Sequence, residues 1–369
     1  MSTDLTDDLT DELATDPTRP ADTAELGPDL ISFIQGLPKC ELHVHLEGTL
    51  SPALKLELAN RNHLELPETT VEEIEATYQL ESLTAFLTVY YPAMNVLVTA
   101  DDFCDLAFEY LSRAHSEGVR HAEMFFDLQA HTSRGVTFDT VIGGYRRAVV
   151  RAERELGMTA SLILCFLRDH SAGFAMATLM EALAYKDWIV AVGPDSDERD
   201  NPPSKFAAVF ARARAEGFLL TMHCDIDQPG SIDHIRQVIT EIGVDRIDHG
   251  TNIVEDPALV DEVLRRGIGF TCCPVSNGFV TGDTKTTEIV DLLRKGVKVT
   301  INSDDPAYFS AYINDNYADI ATRAGLGAGE LLQLARNGFE VAWLRTGTRA
   351  NHLAELDAYA AQHGVTPST

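Results

Sequence analysis

The sequence predicts a single α/β domain, a (β/α)8 barrel of the TIM type with a helical insertion after its first strand. Three observations predict it. The chain has 369 residues, 45% of them hydrophobic, which is enough for one large core. Short apolar runs recur eight times and are separated by amphipathic stretches. No Pro-, Gly- or Ser-rich linker interrupts the middle of the chain, so one barrel is favoured over two domains.

The N-terminal segment is acidic and rich in Thr and Asp, with Arg19 as its one basic residue. Because it has few large apolar groups, we expect 1–28 to be a disordered leader and 29–369 to form the barrel domain. It lacks the basic and apolar regions of a signal peptide, and no apolar run is long enough to span a bilayer. The scattered cysteines lack CxxC spacing, which indicates reduced thiols and a cytoplasmic protein.

The apolar runs are continuous rather than alternating, which is typical of parallel strands buried on both faces. The eight predicted strands are 40–46, 119–126, 161–167, 188–193, 218–224, 246–250, 267–273 and 297–303. Between them, stretches such as 205–217, 231–243 and 288–296 end on a glycine, as helices often do. The segment from about 50 to 117 is too long for one helix. It is predicted to be a helical insertion that could act as a lid over the barrel mouth.

The net charge is −28, from 57 acidic and 29 basic residues. Such a field repels phosphate backbones and anionic lipid surfaces, so nucleic acid and membranes are excluded as partners. A neutral or cationic small molecule is the favoured ligand. A homodimer is compatible with the sequence.

Residues able to bind a metal stand at the ends of four predicted strands. They are His43 and His45 on the first strand, His223 on the fifth, His249 on the sixth, and Asp304 and Asp305 after the eighth. Active sites of such barrels lie at the C-terminal ends of the strands, and residues two apart on a strand share a face. Three imidazoles and one carboxylate form a zinc site with a position left open for water. Histidines satisfied by backbone carbonyls are the alternative, but four strand ends would then meet by accident.

Four sequence blocks, in order, resemble the adenosine/adenine deaminase family of the amidohydrolase superfamily. They are LPKCELHVHLEGTL (37–50), RIDHG (246–250), TCCPVSN (271–277) and INSDDPAYF (301–309). Two further segments, QAHTSRG and NPPSKF, are most similar to the adenine deaminase branch. The resemblance covers about residues 31–345. It implies hydrolytic conversion of a 6-aminopurine, adenine or an adenosine-like compound, into a 6-oxopurine and ammonia.

The resemblance also implies a catalytic centre. One zinc ion per chain would be bound by His43, His45, His223 and Asp304. His249 would orient and deprotonate the attacking water. Zinc lowers the pKa of bound water to about 7, which suits this reaction at neutral pH.

Five further residues match positions that contact the substrate in the family. Asp305 would hydrogen-bond the purine near N7, and Gly193 would let the backbone approach the base. Ser276 and Asn277 would shape the pocket. Glu47 stands where nucleoside deaminases carry Asp for the ribose, and its greater length would favour a free base.

The family pattern breaks at the general acid. Attack at purine C6 requires a proton at N1, which the family's Glu, three residues after the fifth-strand histidine, donates. That position is Ile226 here, in the block His223-Cys224-Asp225-Ile226-Asp227. Three interpretations stay open: Asp225 or Asp227 supplies the carboxyl, the substrate is a different aminated heterocycle, or the protein binds zinc and purine without turnover.

A binuclear amidohydrolase is a competing interpretation. Such enzymes usually bridge two metals with a carbamylated lysine at the end of a barrel strand. The run 188–193 has no lysine inside or just after it, and Lys186 precedes it. The number of metal ions per chain separates the two classes of enzyme: one ion supports the deaminase, and two support the binuclear amidohydrolase.

Overall fold

The computed structural model describes residues 16–78, 82–224 and 227–366. Eight parallel strands follow one another around a barrel in chain order, which confirms the predicted (β/α)8 fold. The strands are β1 (Lys39–His45), β2 (Val119–Phe126), β3 (Thr159–Leu167), β4 (Ile189–Asp195), β5 (Leu219–Cys224), β6 (Arg246–His249), β7 (Gly269–Cys272) and β8 (Lys298–Ile301).

The barrel closes between β1 and β8 through a short seam at its C-terminal rim. Val44 pairs with Asp304 as an isolated parallel bridge. His45 N donates to Asp304 O at 2.9 Å, and Asp304 N donates to His43 O at 3.1 Å. The backbone at three predicted site residues therefore closes the barrel.

The strands are buried on both faces, as continuous apolar runs predict. Every residue of β1 is buried. The lumen contains a cluster of fully buried side chains, Phe125, Ile163, Cys165 and Ala191. This close-packed floor supports the polar side chains at the rim.

Seventeen α-helices lie among the described residues, and none is long and apolar enough to cross a membrane. They are α1 (Pro28–Gly36), α2 (Pro52–Arg61), α3 (Val71–Glu75), α4 (Leu83–Ala93), α5 (Ala100–Ser116), α6 (Leu128–Thr132), α7 (Phe138–Leu156), α8 (Ala172–Ala182), α9 (Ala207–Glu216), α10 (Ser231–Gln237), α11 (Pro257–Arg266), α12 (Pro274–Thr281), α13 (Thr286–Arg294), α14 (Pro306–Phe309), α15 (Ile313–Ala324), α16 (Ala328–Val341) and α17 (Thr346–Gln362). Local sequence sets their ends. Ser51 caps α2 by accepting from Leu54 N at 3.2 Å. Gly217 ends α9 with φ 96°, a left-handed conformation that favours glycine.

The insertion between β1 and β2 is helical, as predicted, and comprises α2 to α5. Phe86 and Tyr90 of α4 are buried, and both line a cavity at the mouth of the barrel. The insertion therefore forms one wall above the strand ends.

The predicted leader differs in part from the structure. Its first 15 residues lie outside the described residues. Residues 16–28 instead lie against the barrel: Ala21 N donates to Asp319 Oδ1 at 2.7 Å. Arg323 of the same helix, α15, donates to two backbone carbonyl oxygens of this segment, at 3.0 and 2.6 Å. Backbone hydrogen bonds to Asp319 and Arg323 hold the segment together with the burial of Ala21, and its composition does not reveal these hydrogen bonds.

Candidate metal centre and substrate cavity

Ligand atoms from β1, β5 and the loop after β8 converge at the rim. His43 Nε2 lies 3.1 Å from Asp304 Oδ1, and His45 Nε2 lies 3.4 Å from the same oxygen. His45 Nε2 also lies 3.2 Å from His223 Nε2. The ligand atoms of a tetrahedral zinc site with bonds of about 2.1 Å are about 3.4 Å apart. These three distances suit pairs of ligands to one ion, and His43 Nε2, buried without a hydrogen-bond partner, is a suitable ligand atom.

A chain of hydrogen bonds fixes the ring orientation of His43. Thr271 Oγ1 donates to Asp248 Oδ1 at 2.7 Å. The same hydroxyl lies 2.9 Å from His43 Nδ1, so it accepts the Nδ1 proton. The Nε2 lone pair is then free for a metal. Asp248 Oδ2 also lies 3.7 Å from His223 Nδ1.

Phe125 packs against the histidine rings. Its ring centroid lies 4.9 Å from that of His43, 5.0 Å from that of His45 and 5.1 Å from that of His223. Packing against one rigid aromatic ring restricts the rotamers of all three histidines. The site is thus preorganised by the lumen cluster below it.

Two site residues adopt a strained backbone. His249 has φ 54° and Asp304 has φ 62°, in the left-handed region that non-glycine residues rarely occupy and that recurs at functional sites. His249 Nε2 lies 3.8 Å from Asp304 Oδ2, which accepts a hydrogen bond from Ser276 Oγ at 2.7 Å. Burial lowers the pKa of His249 to about 4, so its imidazole is neutral and able to accept a proton.

A cavity of about 650 Å³, including its open mouth, lies above these residues. Phe86, Leu87 and Val280 contribute apolar wall, and carboxylates and histidines occupy the strand ends. Apolar walls with a few polar groups suit a flat heterocycle.

Three of the predicted substrate residues line this cavity: Ser276, Asn277 and Asp305. Burial, together with the neighbouring Asp304 charge, raises the pKa of Asp305 well above its usual range. Gly48 makes room for Asp305, because a Cβ at Gly48 would lie only 2.7 Å from Asp305 Cγ. A glycine is therefore required after β1.

The other two, Glu47 and Gly193, are not among the described residues that line the cavity. Glu47 Oε1 accepts hydrogen bonds from His131 Nε2 at 2.7 Å and Tyr145 OH at 2.9 Å, and Glu47 is fully buried. Gly193 lies inside β4, which continues for two residues beyond the predicted end. A Cβ at Gly193 would lie 2.9 Å from Thr221 Cγ2, so its glycine serves strand packing.

The fifth-strand block is described only in part. Asp225 and Ile226 lie outside the described residues. Asp227 lies at the mouth of the cavity, where loss of part of its hydration raises the pKa of its carboxyl.

The sequence interpretation missed two carboxyls. Asp127 directly follows β2, Asp195 ends β4, and both line the cavity. One oxygen of each and a ring nitrogen of His45 lie within 4.8 Å of one another. Burial raises the pKa of Asp195 to about 6 and, with the Asp195 charge, that of Asp127 well above its usual range. Their position at strand ends, the criterion that identified the histidines, could have found them.

Known proteins are similar to this chain over most of its length. A family model described as adenosine deaminase matches residues 38–359. The adenine deaminase of Zymomonas mobilis is 46% identical over 333 residues, covering 90% of this chain and 98% of that protein. The structure of an adenine deaminase from Arthrobacter aurescens matches with a TM-score of 0.85 at 37% identity, covering 88% of this chain and 99% of that one. An amidohydrolase from Burkholderia ambifaria with bound Zn matches with a TM-score of 0.84 at 27% identity, covering 94% and 99%.

Proposed function

Because this chain belongs to the adenosine deaminase family, we propose that it converts adenine into hypoxanthine and ammonia with one zinc ion per chain. The chain is a hydrolytic deaminase acting on a purine-type C–N bond. Adenine is favoured as the substrate because the Zymomonas mobilis and Arthrobacter aurescens relatives are named adenine deaminases. The observation that carries the proposal is the convergence of ligand atoms, 3.1–3.4 Å apart, below the cavity.

His43, His45, His223 and Asp304 would bind the zinc, which when bound lowers the pKa of water to about 7. The two ring nitrogens of His45 have different neighbours, and this favours a single ion because one nitrogen is left for a metal. Its Nε2 faces the ligand cluster, and its Nδ1 lies 3.5 Å from Asp195 Oδ2. A proton on Nδ1 directed at this carboxylate would orient the ring, as carboxylates do for metal-binding histidines.

Different side chains of the protein would carry out the separate proton transfers. His249 Nε2 would take a proton from the attacking water, since its imidazole is neutral and its backbone is held at the rim. Asp305 would hold the ring at N7. Asp225 or Asp227 would give a proton to N1, and the partial burial that raises the pKa of the Asp227 carboxyl is in the direction a general acid needs.

The reducing cytoplasm is the compartment we propose. All six cysteines are free, and five of them are buried. Free thiols are the usual state of cysteine in that compartment.

Ammonia release by zinc-loaded protein tests the substrate. We expect turnover of adenine in a panel with adenosine, N6-substituted adenines, guanine and pterins. Turnover of another ring but not adenine would mean that the change at Ile226 marks a different specificity. If the zinc-loaded protein released no ammonia from any compound of the panel, the result would support a protein that binds purines without deaminating them.

Two substitutions test the site assignment. Asp304→Ala should lose both zinc and activity, because it removes the carboxylate ligand. His249→Ala should retain zinc but lower kcat by about 10²–10⁴-fold, as expected for loss of a general base. Metal analysis of each purified variant, beside steady-state kinetics, gives both readouts. Full zinc in Asp304→Ala, unchanged kcat in His249→Ala, or two ions per wild-type chain would contradict the assignment.

A further inference from the structure

Asp127 and Asp195 place carboxyl oxygens without N–H donors on the cavity surface. Their side chains are almost fully buried, with 1% and 3% of the residue surface exposed. Asp127 Oδ1 and both carboxyl oxygens of Asp195 accept no hydrogen bond from an N–H group of the described residues, although the two carboxyls face each other and the Cys165 thiol lies against Asp195. Buried polar atoms are normally satisfied, so a bound molecule that brings N–H donors to this place is favoured.

The two carboxyls lie beyond the metal ligands on the side of His45. His45 Nε2 belongs to the ligand cluster, whereas its Nδ1 lies 3.5 Å from Asp195 Oδ2. The carboxyls are therefore separated from the cluster by the width of one imidazole ring. A purine whose C6 lies at the cluster extends its five-membered ring away from it. That ring carries N9, the atom to which a nucleoside attaches its sugar.

We infer that Asp127 and Asp195 accept the ring N–H of a free purine base and thereby select bases over 9-substituted purines. This inference rests on the proposed function. In a 9-substituted purine the N9–H is replaced by a carbon, so the carboxyl oxygens would stay buried without a donor. We assign this selection to the two aspartates rather than to Glu47, which is not among the described residues that line the cavity and whose Oε1 accepts from His131 and Tyr145.

The competing account gives Asp195 one task, which is to orient His45 through Nδ1. That role would change zinc affinity or kcat for every substrate alike. A selective role changes the ratio of rates between a base and its 9-substituted analogue. Asp127 gives a second comparison, because its carboxyl has no direct hydrogen bond or ion pair with His45 among the described contacts and reaches His45 only through Asp195.

The experiment compares kcat/KM for adenine and 9-methyladenine, which differ at the N9 substituent alone. Zinc-loaded wild type, Asp127→Ala, Asp195→Ala and Asp127→Asn are measured with zinc content, and Asp261→Ala, an exposed carboxylate on α11, is the control. We expect wild type to favour adenine by at least about 10²-fold, as sites built to hydrogen-bond a substrate N–H do. In both alanine variants this ratio should fall at least about tenfold, because adenine loses its partner and 9-methyladenine loses nothing. Asp127→Asn, which keeps an acceptor oxygen, should retain more of the ratio than Asp127→Ala.

Binding measured by calorimetry for hypoxanthine and 9-methylhypoxanthine gives a readout that needs no turnover. Wild type should prefer hypoxanthine, and the alanine variants should lose the preference. Equal use of adenine and 9-methyladenine by wild type, or an unchanged ratio in both alanine variants, would overturn the inference and leave adenine deamination intact. Absence of adenine turnover would overturn the proposed function instead, and the calorimetric preference would then decide the inference alone.

Discussion

Ser276 shows how one neutral side chain can orient a proposed metal ligand. Its hydroxyl donates to Asp304 Oδ2 at 2.7 Å, and it comes from the first turns of α12. This bond directs the other oxygen of Asp304 toward the histidines, because Oδ1 is the oxygen 3.1 Å from His43 Nε2. The orientation of a ligand carboxylate thus depends on a residue that contributes no charge.

We predict that Ser276→Ala lowers zinc affinity by about 10–100-fold, the usual effect of losing a group that orients a metal ligand. Competition with a chromophoric chelator measures it. Thr281→Ala is the control, since Thr281 lies on the same helix but donates to the backbone oxygen of Asn277. Equal affinities in Ser276→Ala and wild type would show that Asp304 is oriented without the serine.

At the residue scale, sequence reasoning succeeded where one position decides the outcome. Imidazoles at positions i and i+2 of a strand, as in His43 and His45, share a face regardless of the conformation of the neighbouring loops. Contacts between distant segments were not predictable in this way. Glu47 stays a predicted substrate residue, and its hydrogen bond with His131, 84 residues away in sequence, left no signal in the sequence. The length of β4 placed Asp195 rather than Gly193 at the rim.

At the scale of elements, α1 and β1 meet around a buried lysine. Lys39 Nζ donates to Ile34 O at 2.7 Å and to Leu37 O at 2.8 Å. Ile34 O also accepts from Leu37 N at 3.4 Å, so the lysine adds a donor at the C-terminal end of α1 and supplies one to Leu37, the residue that follows it. Burial lowers the pKa of Lys39 from 10.5 to about 7.

This pKa predicts how stability depends on pH. Between about pH 7 and 10.5 the unfolded chain keeps the Lys39 proton and the folded protein releases it, so a rise in pH favours folding. Relative to Lys39→Met, the free energy of unfolding of wild type should rise by at most about 1.4 kcal/mol per pH unit in this window. Denaturant titrations of both proteins at several pH values measure the difference. A difference that does not vary with pH would mean that Lys39 stays charged in the folded state.

Element boundaries were predictable where local chemistry sets them. Continuous apolar runs located all eight strands, and glycines located helix ends such as Gly217 and Gly243. The stretch 231–243 is not one regular helix, because α10 continues into a π-helical turn, Val238–Ile242. Such a change of hydrogen-bond spacing leaves no mark in hydrophobic periodicity.

At the scale of the whole molecule, the N-terminal segment braces a helix of the cavity. Ala21 of this segment donates a hydrogen bond to Asp319. Pro17 lies close to Gly278, because a Cβ at Gly278 would be only 2.9 Å from the carbonyl carbon of Pro17. Gly278 belongs to α12, which carries Ser276. The segment thus covers the outer side of a helix whose inner side lines the cavity.

We expect removal of residues 1–22 to lower Tm by about 3–10 °C, since it strips hydrogen bonds from the buried Arg323–Asp319 pair. Removal of residues 1–15, an acidic stretch with few large apolar groups, is the matched control and should leave Tm within about 1 °C. Calorimetry of the three proteins makes the comparison. Equal Tm values for all three would show that the brace adds no stability.

The seam between β1 and β8 ties the candidate metal centre to synthesis of the chain at least as far as Asp304. During translation His43 and His45 are made first, and Asp304 follows only after some 260 further residues have been added, about seven-tenths of the 369-residue chain. No nascent or truncated polypeptide that stops before this residue has the full ligand set. It also lacks the two backbone hydrogen bonds that close the barrel. Ribosomal products cut short before Asp304 therefore lack part of the candidate centre, whereas the 65 residues that follow it contribute none of the proposed ligands.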